Sequence, residues 1–169
     1  MSTHKIGPER HRINRPPDVG EGDPLDHRII ARGLLALLCL FQGVGTLAID
    51  LNRTHAANPQ WPQHARFHLV WQVISVVLLS ALEVALICWQ GPHVEQRFYL
   101  AALLACIPLL AFLIAFISRK WYDGDLSDPN GIPPARIAIA GTIIRIDLNL
   151  VVVPAALLAL VVILAIYIL

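Results

Sequence analysis

At 169 residues the chain has the length of one domain, but 56% of it is hydrophobic and only 15% is charged. Its mean hydropathy is strongly positive, a composition that excludes an ordinary soluble domain. The net charge of +1, with basic residues scattered or beside helix ends, excludes nucleic acid as a partner, because phosphate binding calls for a basic surface.

Residues 1–27 carry Lys5, Arg10, Arg12 and Arg15 among Pro8, Pro16, Pro17 and Pro24. Such a segment is too polar and too rich in proline to bury a core, and it reads as a mobile polar tail. A cleavable leader is not expected, because the first apolar block begins only near Ile29 and no small-residue cleavage site follows it. Residues 28–169 read as a four-span transmembrane domain, since a hydrocarbon slab roughly 30 Å thick takes about 20 apolar residues per crossing.

The first span is expected over about 29–49, ending at Asp50. The next stretch, DLNRTHAANPQWPQHA, contains Asn58-Pro59 and Trp61-Pro62, which disfavour helix, so it predicts a structured loop at the membrane surface. A second span follows over about 66–89, closed by Gly91-Pro92. The third runs over about 98–118, with Pro108 expected to bend it. A second polar connection holds Trp121, Tyr122, the acidic run DGDLSDPNG and Pro133-Pro134. The fourth span is expected over about 142–169, with Arg145, Asp147 and Asn149 near its entry. The fold class is therefore all-α, an integral membrane four-helix bundle.

The six Lys or Arg residues up to Arg32 outweigh Arg53 and Arg66 of the first loop, which places the N-terminus in the cytoplasm. An even number of spans then puts the C-terminus there too, and sends both long loops to the outer side of an inner or plasma membrane. Arg119, Lys120 and Arg136 lie on that outer side and oppose this orientation.

At 100° per residue, Gln42, Thr46 and Asp50 form one stripe on the first helix, while His64, His68, Gln72, Ser75 and Glu83 share a sector of the second. Contact with lipid is costly for such groups, so both stripes are expected to point inward and to face each other. With Arg145 placed to neutralise Asp50 or Asp147, the expectation is an outward-open pocket built by Asp50, His55, His64, Arg66, His68, Gln72, Glu83, Arg145 and Asp147.

Three chemistries suit that set. His64 and His68 stand one helical turn apart and, with Asp50 or His55, form a candidate site for a divalent metal. The bland alternative is two interfacial imidazoles satisfied by loop carbonyls. No other cofactor is implied: Cys39, Cys88 and Cys106 have no metal or C-x-x-C spacing and read as small buried hydrophobes. His68 and Glu83 are the candidate catalytic pair for acid–base work on a lipophilic substrate, against a reading of Glu83 as hydrogen-bonded glue between helices. Calcium at DGDLSDPNG fails on register, since Asp128 stands where an EF-hand loop has Gly and Pro134 where it has Glu, which favours a solvated turn.

The stretch Thr54 to His68, THAANPQWPQHARFH, resembles the signature of an uncharacterised family of small four-span membrane proteins and is similar at fold level to DoxX-like proteins. The resemblance implies a membrane bundle and brings no activity with it. The expected function is binding of a small lipophilic molecule in the outward pocket. The alternatives are a non-catalytic accessory or structural subunit and a membrane enzyme using a His/carboxylate or metal centre. The expected partners are the lipid bilayer, the small lipophilic ligand and, with a homo-oligomer, further copies of the chain.

Overall fold

The computed structural model describes residues 24–128, 130–139 and 141–169. Of the expected polar tail, residues 1–23 lie outside the described residues, whereas residues 24–27 are already helical and form the start of the first long helix. Among the described residues there are four long helices, α1 (Pro24–Asp50), α2 (Gln63–Cys88), α3 (Val94–Ser118) and α4 (Asn149–Ile168). Each is long and apolar enough to cross a membrane. At 1.5 Å per residue even α4, with 20 residues, spans about 30 Å. The protein is a multi-pass, all-α membrane bundle.

Local sequence sets the helix ends. α2 starts directly after Pro62, whose fixed φ of −53° suits the entry to a helix. It stops before Gly91, at φ 112°, a left-handed conformation open to glycine, and Pro92. His93, also left-handed at φ 64°, then turns the chain into α3. The helices form a ring in which α1 packs against α2 and α4, and α3 against the same two.

Between membrane helices there is little hydrophobic driving force, so close approach of small residues matters most. α1 buries Ala31, Leu35 and Cys39 at i, i+4 and i+8, and Gly43 continues the row. α3 offers Ala101, Ala102 and Ala105 in the same way. Ser80 of α2 donates from its hydroxyl to the Cys39 carbonyl of α1, at the point where Gly43 leaves room for it.

At the end of the bundle where α1 begins and α2 ends, the Arg32 guanidinium donates to the Ile87 carbonyl and thereby satisfies one of the open carbonyls of the last α2 turn. Nearby the rings of Phe98 and Tyr167 stack at 3.7 Å between centroids, tying α3 to α4, and Arg28 sits over Tyr167 at 5.3 Å.

One element departs from the expected order. The fourth span does not begin at Thr142: residues Ala135–Ile139 and Thr142–Ile146 form two antiparallel strands, β1 and β2, and α4 starts only at Asn149. The register pairs Arg136 with Arg145 and Ile137 with Ile144. β-Branched residues on both sides of Ala140-Gly141 favour a hairpin, and the 20 residues from Asn149 already suffice for the crossing, so nothing requires the hairpin residues to be helical.

Candidate functional site: a mouth cavity and an intramembrane groove

Both long connections meet at the end of the bundle where α1 and α3 finish and α2 and α4 start, here called the mouth. The first connection folds on its own polar side chains. Asn52 accepts from the Thr54 amide at 2.8 Å and from the Thr54 hydroxyl, and the Thr54 hydroxyl also lies 2.8 Å from His55 Nδ1. Because the single Thr54 proton goes to Asn52, the Thr54 oxygen is left to accept from His55 Nδ1–H. The His55 ring meets Trp61 edge to face at 5.4 Å.

Asn58 holds the two connections together. It is 4% exposed, accepts from the Gln60 amide at 3.0 Å, and donates at 3.4 Å to the carbonyls of Thr54 and, across the mouth, Asn130. The second connection is shaped by its aspartates. Asp128 accepts from the Asn130 amide at 2.6 Å, Asp125 from the Leu126 amide at 2.7 Å, and Asp147 from the Asn149 amide at 2.8 Å, which covers an open N–H of the first α4 turn.

These segments enclose a cavity of about 240 Å3. Its polar wall is Asp50, His55, Asp125, Asp128, Asp147 and Asn149. The rest of the lining includes Ile49, Leu148, Ile132, Trp61 and the Pro133-Pro134 pair. The indole N–H of Trp61 is itself buried and has no hydrogen-bond partner among the described residues. The cavity therefore combines four carboxylates and one imidazole with an apolar floor.

Of the residues expected to form one pocket, the structure brings together Asp50, His55 and Asp147. The others lie elsewhere. His64 and His68 do stand side by side, with their Nε2 atoms 3.0 Å apart, but both are exposed on the first turns of α2 beside Phe67 and Trp71. That is an aromatic belt suited to the bilayer interface. Among the described residues no three His, Cys, Asp or Glu side chains are grouped to hold a metal ion, so Asp50 does not join the two histidines. Arg66 is half-buried, with its Nε unpaired, and does not line the cavity. Arg145, expected to neutralise Asp50 or Asp147, is instead an exposed strand residue opposite Arg136.

His68 and Glu83 are separated by 15 residues on one straight helix, about 22 Å. They cannot share a proton-transfer step. Glu83 is 1% exposed, and neither of its carboxyl oxygens has a hydrogen-bond partner among the described residues. Its neighbour in the bundle is the Cys39 thiol of α1. Gln72 lies on the same side of α2 as Glu83 yet is exposed, and the reason is the course of α3. Beyond Leu109 α3 has no buried residue, and a groove of about 540 Å3 opens between the helices, lined by Gln72, Ser75, Leu79, Pro108 and Phe112 among others. The amide of Gln42 reaches the Ala105 carbonyl of α3 at 3.4 Å, not a polar side chain of α2.

Asp125, Asp128 and Trp61 are cavity residues that a reading by helical periodicity misses, because they sit in connections. The available signal was the density of Asp, Asn and Pro in a segment flanked by two spans. Fold and cavity together define a four-span membrane bundle with an acidic mouth. Comparison with known proteins finds no matching family model, curated protein or solved structure.

Proposed function

We propose that this protein binds a small lipophilic molecule carrying a basic or hydrogen-bonding head, with the head held in the mouth cavity. The observation that carries the reading is the chemistry of the lining: the carboxylates of Asp50, Asp125, Asp128 and Asp147 surround an apolar floor. A partly enclosed wall of carboxylates attracts a cationic head, while Ile49, Leu148 and Ile132 suit its hydrocarbon portion. A volume of about 240 Å3 favours a head the size of a small amine over a bulky ring system.

In this proposal the mouth faces outward from an inner or plasma membrane, with both termini in the cytoplasm, as the charge of the N-terminal flank suggests. The resemblance of Thr54–His68 to a family of four-span, DoxX-like proteins belongs to the same proposal.

The test is native mass spectrometry of the purified protein with a series of primary alkylamines of increasing chain length. Binding should strengthen with chain length and weaken at least tenfold in Asp50→Asn/Asp147→Asn. Equal binding by the double variant, or none by the wild type, refutes the reading.

A second reading, that of a non-catalytic accessory subunit, is favoured by Gln72. This side chain is exposed in the groove between α2 and α3, well inside a span, where another helix would satisfy its amide. Crosslinking of Gln72→Cys in native membranes separates the two readings, because a subunit gives a specific adduct there and a ligand-binding monomer does not.

A further inference from the structure

The β1–β2 hairpin has an unusual distribution of charge. Ile137 to Ile144, the part of the ribbon beyond the Arg136–Arg145 pair, contains no charged residue in eight. Arg136 and Arg145 are direct cross-strand neighbours, both exposed. Like charges placed opposite each other destabilise a strand pair unless an anion lies between them. Among the described residues neither arginine has a salt-bridge partner, and the acidic groups of the mouth are used by the cavity instead.

The apolar side chains have no cover within the chain either. Ile137, Ile143 and Ile144 are 42%, 65% and 41% exposed, and among the described residues the hairpin has no extensive packing against a helix. An isolated two-stranded hairpin is marginal in water and needs a surface to lie on. The nearest such surface is set by the chain itself. Only Asp147 and Leu148 separate β2 from α4, and α4 needs all of its 20 residues to cross. The base of the hairpin is therefore held at the level of the lipid headgroups, and its five-residue strands reach roughly 17 Å from there.

We propose that the hairpin is a membrane-surface anchor, whose uncharged tip enters the headgroup and upper acyl region of the bilayer and whose Arg136–Arg145 pair grips lipid phosphate. A phosphate between two opposed guanidiniums removes their repulsion and makes charge-assisted hydrogen bonds to both. The tip then buries the isoleucines that the bundle leaves open. The anchor uses none of the residues of the mouth cavity, so it stands whether or not the cavity binds a ligand.

The test uses the full chain reconstituted into vesicles of phosphatidylcholine, with and without phosphatidylglycerol. An environment-sensitive fluorophore is attached at Ile143→Cys in a background of Cys39→Ala, Cys88→Ala and Cys106→Ala, and at Asp123→Cys as a second site. Ile143 is 65% exposed, so a label there is expected to leave the bundle undisturbed, and circular dichroism checks both the label and the background.

The label at position 143 should emit further to the blue in vesicles and be quenched several-fold more by nitroxide-bearing lipid than by iodide. The label at position 123 should behave the opposite way. Phosphatidylglycerol should deepen the tip, and Arg136→Gln/Arg145→Gln should abolish that lipid dependence. A tip quenched chiefly by iodide in both vesicle types overturns the anchor. Insertion that is the same with and without the arginines overturns their assignment to phosphate.

Discussion

Gly43 is the position where the closest helix contact can be tested most directly. A Cβ added there would lie 2.7 Å from Ser80 Oγ and 2.8 Å from Ser80 Cβ. Ordinary carbon contacts lie at about 3.5–4.0 Å, so Gly43→Ala must push α1 and α2 apart by about 1 Å or displace Ser80. Overpacking of this kind costs about 1–3 kcal/mol. Losing the Ser80 hydrogen bond to the Cys39 carbonyl adds about 0.6 kcal/mol, a typical value between membrane helices. The better helix propensity of alanine returns about 1 kcal/mol. The expected net loss is therefore about 0.6–2.6 kcal/mol. Gly45 is the internal control, since a Cβ there meets nothing within 4 Å, and Gly45→Ala should be neutral or stabilising. The assay is unfolding by sodium dodecyl sulfate in mixed micelles, followed by circular dichroism. Ser80→Gly removes both contacting atoms, so Gly43→Ala/Ser80→Gly should lose less than the sum of its single changes. A Gly43→Ala protein as stable as Gly45→Ala, or strictly additive single effects, would refute the close approach.

Other positions give independent checks with the same unfolding assay. Among the described residues neither buried oxygen of Glu83 has a hydrogen-bond partner, so Glu83→Met should be neutral or stabilise the bundle by about 1–3 kcal/mol. A loss greater than about 1 kcal/mol would mean that the carboxyl group holds helices together. Arg32→Met should cost about 1.5–3 kcal/mol, because it removes a charged donor from the open carbonyl of Ile87 at the end of α2. For Asn58→Ala the readout is hydrogen exchange: the Gln60 amide and the connection around Asn130 should both exchange faster, since one side chain ties them together. Unchanged exchange around Asn130 would show that the two connections are held by something else.

The fate of the second-helix stripe shows why the bundle was easier to read than its cavity. Gln72 and Glu83 share one side of α2, because helical geometry fixes the angle of each residue. Whether that side is closed depends on where α3 stops packing, and α3 buries nothing beyond Leu109. Glu83 is consequently buried and Gln72 is exposed in the groove. Arg145 shows a different limit. Its apolar stretch reads as the start of a span, although the alternation of Arg136, Ile137, Ala138 and Ile139 before Ala140-Gly141 fits a two-residue hairpin. Asp50 and Asp147 could be placed at the mouth from sequence because each borders a span.

Hydropathy by itself determined that this chain crosses the membrane four times, because burying twenty apolar residues in hydrocarbon depends on their number and order alone. It also located the mouth, since polar residues cannot lie far from the ends of the spans without cost. Only the tertiary structure decided which polar residues share a site. Asp125 and Asp128 reach Asp50 and His55 because Asn58 bridges two connections that lie 72 residues apart. His64 and His68, closer in sequence, stay outside because α2 turns them away from the cavity. Contacts of that kind depend on how the loops close over the helix ends, and no periodicity along the chain records it.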